Sequence, residues 1–134
     1  MTEFNDYRGI QVEELKNGPS GGGSSGASGT YAFAMGASST FAGAAGGHVR
    51  YVNVSNIGTV DVWFHMYDSA TPPVSGDPIT QPSVAIGANG GVGGVAYGGA
   101  GRSFTNALQW AASSTAATYT PAPTAVLAVE AEIA

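Results

Sequence analysis

At 134 residues the chain has room for one domain of ordinary size, and only 10% of it is charged, against roughly a quarter in typical soluble domains. A net charge of −5 with four Lys and Arg in all cannot build the basic stripe that phosphate contacts require, which argues against a nucleic-acid partner. The absence of cysteine removes disulfide staples and thiolate metal sites from consideration.

Residues 1–17 form a first zone, with Glu3, Asp6, Arg8, Glu13, Glu14 and Lys16 interleaved among Phe4, Tyr7, Ile10, Val12 and Leu15. Phe4, Tyr7 and Leu15 fit a helical stripe, whereas Ile10 and Val12 alternate as in a strand, and the pattern does not choose between them. The zone reads either as a disordered tail or as an N-terminal arm whose apolar residues order on a neighbouring surface. The opening "MTEFNDYRGIQVEELKNG" lacks the basic and apolar regions of a secretory signal. No stretch reaches the ~18 apolar residues of a membrane span. The expectation is a soluble protein made in a cytoplasm, with no membrane partner.

A Gly/Ser-rich linker follows, "GPSGGGSSGASGT" at 18–30, whose thirteen residues span about 20 Å on average as a flexible coil. Both GxSxG and GxGxxG occur by chance within "GGGSSG" at 21–26. Neither has the strand–turn–helix setting that a nucleophile elbow or a dinucleotide site needs.

From 31 to 134 the chain reads as β, because short β-branched and aromatic runs recur between Gly, Pro and Asn turns. Strands are predicted at 31–36, 39–44, 48–56, 60–68, 83–87, 92–97, 104–111 and 124–133. That spacing suggests an all-β antiparallel sandwich or jelly roll. "NIGT" would join 48–56 to 60–68 as a hairpin, setting His48 opposite Tyr67 and Arg50 opposite His65. "SATPPVSGDPITQP" must be a loop, since its four prolines cannot donate to a central ladder.

The stretch "VDVWFHMYD" raises a question of its own. Strand parity puts Val60, Val62, Phe64 and Met66 on the core side and Asp61, Trp63, His65 and Tyr67 on the other. A Trp, a His and a Tyr in a row are an unusual solvent face. The expectation is that another protein surface covers Trp63, His65 and Tyr67, the alternative being that residues 31–45 or the proline loop fold over them within one subunit.

No cluster of residues reads as catalytic or metal-ligating. His65 and Asp61 fall short of a metal's ligand count. Glu130 and Glu132 share the wet face of the last strand, where Leu127, Val129, Ala131 and Ile133 form the buried face. Asp68 and Asp77 flank the proline loop without calcium-loop spacing, and Asp68 is placed to end its strand through local backbone hydrogen bonds. Asn53-Val54-Ser55 matches a glycosylation sequon but has no secretory context. Phe104, Leu108 and Trp110 form a core row, although Trp63 and Trp110 are also the two candidates for a sugar platform. No cofactor is implied.

Three segments then run in order. "RYVNVSNIGTVDVWFHMYDSATPPVSGDPI" is two strands ending in Tyr-Asp before a Pro-rich loop with Gly-Asp-Pro. "VAIGANGGVGGVAYGGAGRSFTNALQWAAS" is a Gly-rich turn and a strand with a Phe and a small-residue end, and "STAATYTPAPTAVLAVEAEI" is an Ala/Thr-rich loop and a closing strand. In that order and texture, residues from about His48 to Ile133 resemble small β-sandwich virion proteins of tailed bacteriophages. The resemblance implies a structural, non-enzymatic role as a capsid decoration (cement) protein, a head fibre or a tail component. It also implies the major capsid protein or other virion proteins as partners, with self-association as a dimer or trimer. A carbohydrate-binding β-sandwich and a small hydrolase are the competing readings from other classes.

Overall fold

The structure is a computed structural model and describes residues 30–134. The expected arm residues Phe4, Tyr7, Ile10, Val12 and Leu15 lie outside the described residues. Nine strands form among those described: β1 (Thr30–Gly36), β2 (Ser38–Phe41), β3 (His48–Asn56), β4 (Val62–Asp68), β5 (Val84–Ile86), β6 (Gly91–Ala96), β7 (Arg102–Ser103), β8 (Leu108–Ser113) and β9 (Leu127–Ile133). A single 3₁₀ turn, Ala42–Ala44, separates β2 from β3.

The strands build two antiparallel sheets packed as a sandwich. The first runs β2-β8-β4-β5, and the second runs β1-β9-β3-β6 with β7 also paired to β3. Alternation decides what each sheet buries. Val62, Phe64 and Met66 of β4 and Leu108, Trp110 and Ala112 of β8 point inward from the first sheet. Val49, Val52 and Val54 of β3 meet them with Leu127, Val129, Ala131 and Ile133 of β9. Trp110 is the largest fully buried side chain. It packs edge-on to Phe41 at 6.5 Å between ring centroids and tilted against Phe64 at 5.9 Å. Phe104, expected within a strand, is fully buried between two, directly after β7 and ahead of β8, which opens at Leu108.

The hairpin expected at "NIGT" does not form. β3 pairs with β9 and β6, and β4 pairs with β8 and β5, so the two strands face each other across the core. His48 lies opposite Ser103, and His65 lies opposite Ala111 rather than Arg50. The cause is local. Asn56, fully buried at the end of β3, donates to the carbonyls of Val60 (2.8 Å) and Ile86 (3.2 Å) and accepts from the Gly58 N–H (3.0 Å). Those three bonds satisfy a polar group in the interior and turn the chain from one sheet into the other. Val60 then falls on the crossing and is partly exposed, at 36%, instead of joining the core.

A second crossing links β5 to β6 through Asn89 and Gly90, both with positive φ (59° and 102°), a conformation that Asn and Gly tolerate best. Beyond it β6 passes so close to the first sheet that a Cβ on Gly93 would lie 2.5 Å from Ile86 Cδ1. Asp68 does not cap β4 locally, as expected, but reaches across the chain. Its carboxylate accepts from the backbone N–H groups of Thr105 (3.0 Å) and Asn106 (2.8 Å) and so holds the turn into β8. Burial alone would raise the Asp68 pKa, but the N–H groups of Thr105, Asn106 and Ala107 outweigh it and hold the carboxyl below its usual value.

Because Trp110 touches rings from both of its neighbouring strands, Trp110→Ala is expected to cost about 3–5 kcal/mol in chemical denaturation, the range for large aromatic truncations. A loss below about 1 kcal/mol would be that of a surface substitution and would contradict this packing.

Candidate functional site

The outer faces of the two sheets have opposite fates. On the first sheet the outer row of β4 is Trp63, His65 and Tyr67, beside Ser113, Ala111 and Gln109 of β8. Two loops close over it. Residues 69–83 and 114–121 hydrogen-bond to each other through Gly76 N–H to the Tyr119 carbonyl (2.8 Å), Tyr119 N–H to the Asp77 carbonyl (2.7 Å) and Ile79 N–H to the Ala117 carbonyl (3.2 Å). The sheet anchors both loops from below. The fully buried Ser113 hydroxyl donates to the Thr115 carbonyl (2.8 Å) and accepts from the Thr120 N–H (2.9 Å). Gln109 donates to the Ser69 carbonyl (3.1 Å).

His65 is fully buried and Tyr67 is 6% exposed. The expectation that another protein covers His65 and Tyr67 is therefore corrected: the proline loop and its partner cover them within the chain. His65 Nδ1 and the Tyr67 hydroxyl share a hydrogen bond of 3.1 Å, and the Tyr119 ring lies 6.3 Å from the imidazole. Burial pushes the His65 pKa down, against an opposing pull from the Thr115 and Ala116 backbone, and Nε2 makes no hydrogen bond. The pKa of Tyr67 is raised, by burial first and then by Asp77 and Tyr119.

Trp63 escapes the cover in part. It is half-buried where the two loops end and lines a cleft of about 360 Å³ with Asp61, Val62, Ala85, Ile86, Gly87 and Ser114. Trp110, the other sugar-platform candidate, is fully buried and has no exposed ring face.

On the second sheet no loop among the described residues covers the outer face. β1 is an edge strand and presents Tyr31, Phe33 and Met35 at 66%, 64% and 55% exposure. Parity produced this row, since Ala32 and Ala34 take the inward positions against the core. Next to it run Glu130 and Glu132 of β9, then Tyr51 of β3, which pairs with Glu132. Tyr51 has a raised pKa, through burial and then the negative charge of Glu130, with a hydrogen bond to Tyr31 adding to it. Arg50 forms an ion pair with Glu132 at 3.3 Å. Such a partly exposed pair contributes about 1 kcal/mol at most. The face is thus apolar and aromatic along its edge and acidic behind it. Sequence reading missed the Tyr31–Met35 row, although its alternation is visible in "TYAFAMG".

Among the described residues, no group of three or more His, Cys, Asp or Glu is placed to hold a metal ion. No helix among them is long and apolar enough to cross a membrane. Glu130 and Glu132 lie on an open sheet face and not in a cleft. His48 is exposed at the start of β3, in a different sheet from His65.

The lowered His65 pKa has a direction in stability. The folded chain holds the imidazole neutral, while the unfolded chain takes up a proton near pH 6.5. The stabilisation is complete above about pH 6.5 and is lost as pH falls below that value towards the folded pKa. Thermal melts from about pH 7.5 to pH 5 should show this decline, and His65→Gln should flatten it. An equal decline in that variant would mean that the imidazole is not the group titrating.

No family model matches the chain, and no curated protein or solved structure is significantly similar to it.

Proposed function

We propose that this chain is a structural, non-enzymatic protein of a bacteriophage particle, a capsid decoration protein that docks on the major capsid protein through the outer face of its second sheet. The observation that carries this reading is the row Tyr31, Phe33 and Met35 on edge strand β1. Each such side chain left in water forgoes burial of about 1.5–3 kcal/mol. Contiguous apolar rows of this kind mark interaction sites on soluble domains. In the sequence, the Gly/Ser-rich stretch and the segment carrying Phe4, Tyr7, Ile10, Val12 and Leu15 precede β1.

Two further features support it. β1 stands at the edge of its sheet, and edge strands are templates for pairing with another chain. The order of segments from His48 to Ile133, with its resemblance to small β-sandwich virion proteins, points the same way. A chain that is 10% charged, with 21 glycines, suits a packing role better than catalysis.

Mass spectrometry of purified particles tests the reading. Hundreds of copies per particle are expected of a decoration protein, whereas a few copies would assign the chain to the tail or a fibre. Phe33→Ser with Met35→Ser should reduce incorporation strongly while leaving the melting temperature of the isolated protein within a few degrees, since both residues are exposed. Undiminished incorporation of the double variant would contradict docking through this face.

A further inference from the structure

We infer that the cleft at Trp63 is a carbohydrate-binding site that takes a single pyranose unit, a function separate from docking through the second sheet. The cleft lies where the cover over the first sheet stops. Its floor is the β4–β5 pair, where Trp63 sits opposite Ala85. Ser114, the first residue of the 114–121 loop, lines it with Asp61 and Gly87.

The chemistry of the lining is what selects a sugar. A pyranose has an apolar C–H face and a rim of hydroxyls, so it needs one flat aromatic surface flanked by a few polar groups. Here the only aromatic side chain in the lining is Trp63, half-buried and therefore both held and reachable. Asp61 is exposed, but its Oδ1 accepts from the Ala88 N–H at 2.7 Å. That bond fixes the carboxylate at the rim before any ligand arrives, which lowers the cost of binding. Ser114 is exposed, and its backbone N–H is engaged with the Thr120 carbonyl at 2.9 Å, so a stationary backbone presents its hydroxyl.

Small residues complete the shape. Ala85 leaves the surface beside the indole low. A Cβ on Gly87 would meet nothing nearer than Asp61 Oδ1 at 3.9 Å, so the space beside the carboxylate is open. The cleft's 360 Å³ sits at the lower end of ligand-site volumes, which run from about 300 to 1,000 Å³. The other ligand that a Trp and an Asp suggest is an organic cation. Recognition of quaternary ammonium uses a cage of several aromatic walls, and the single ring in this lining does not form one.

The test is a titration of the full chain with the methyl glycosides of glucose, galactose and mannose and with N-acetylglucosamine. The signals to follow are the indole N–H resonances of its two tryptophans. At least one sugar should move the Trp63 resonance saturably and leave that of the buried Trp110 in place. Trp63→Ala should weaken binding about tenfold or more, the upper range for loss of one aromatic contact. Gly87→Val should also weaken it, by filling the space at the rim while Trp63 and the folded spectrum are retained. The inference is overturned if no sugar moves the Trp63 resonance, if Gly87→Val binds as well as the native chain, or if choline chloride gives the response and the sugars do not.

Discussion

Asn56 decides the topology on which everything else in this domain depends. A side-chain amide at the end of a strand has to be satisfied if it is buried, because leaving its groups unpaired costs about 1–3 kcal/mol. Here the partners are Val60, Gly58 and Ile86, two from the crossing itself and one from the opposite sheet. Satisfying Asn56 therefore sends β4 into the sheet that faces β3. Val49, Val52 and Val54 then meet Val62, Phe64 and Met66 across the core instead of lying beside them. Had β3 and β4 paired, Trp63, His65 and Tyr67 would have shared one outer face with Arg50 and His48.

That placement makes the two sheets unequal. β4 becomes an inner strand of the first sheet, and its aromatic outer row needs cover. The proline loop and the 114–121 loop supply it, held together by their own backbone bonds and pinned through Ser113 and Gln109. β8 is consequently buried on both faces along its whole length. Among the described residues the second sheet receives no such cover, and its outer face leaves Tyr31, Phe33 and Met35 exposed. Among the described residues, two long loops cover one face and none covers the other. The proposed docking uses the uncovered face, and the Trp63 cleft lies at the margin of the covered one.

Much of this was legible in the sequence because alternation reports burial directly. The strand at 48–56 was readable to the residue, and the rows Leu127–Ile133 and Val62–Met66 fall inward as their pattern requires. Pairing was not legible. A hairpin and a crossing between facing sheets place identical demands on the side chains of β3 and β4, and only the partners of Asn56 distinguish them. Asp68 misled for a related reason, since an Asp after a strand bonds to neighbouring or to distant N–H groups with the same side chain. For the aromatic face of β4, strand parity led to an expectation of cover by another protein, but over His65 and Tyr67 the cover is the chain's own loops.

The claim to test first is that the β4 row is closed within the chain while the β1 row is open. Hydroxyl-radical footprinting with mass spectrometry reads both rows at once, in the isolated protein and in particles that carry it. The account predicts rapid oxidation of Tyr31, Phe33 and Met35 and slow oxidation of His65 and Tyr67 in the isolated protein, with only the first group becoming protected on the particle. Rapid oxidation of His65 and Tyr67 in the isolated protein, followed by their protection on assembly, would contradict it.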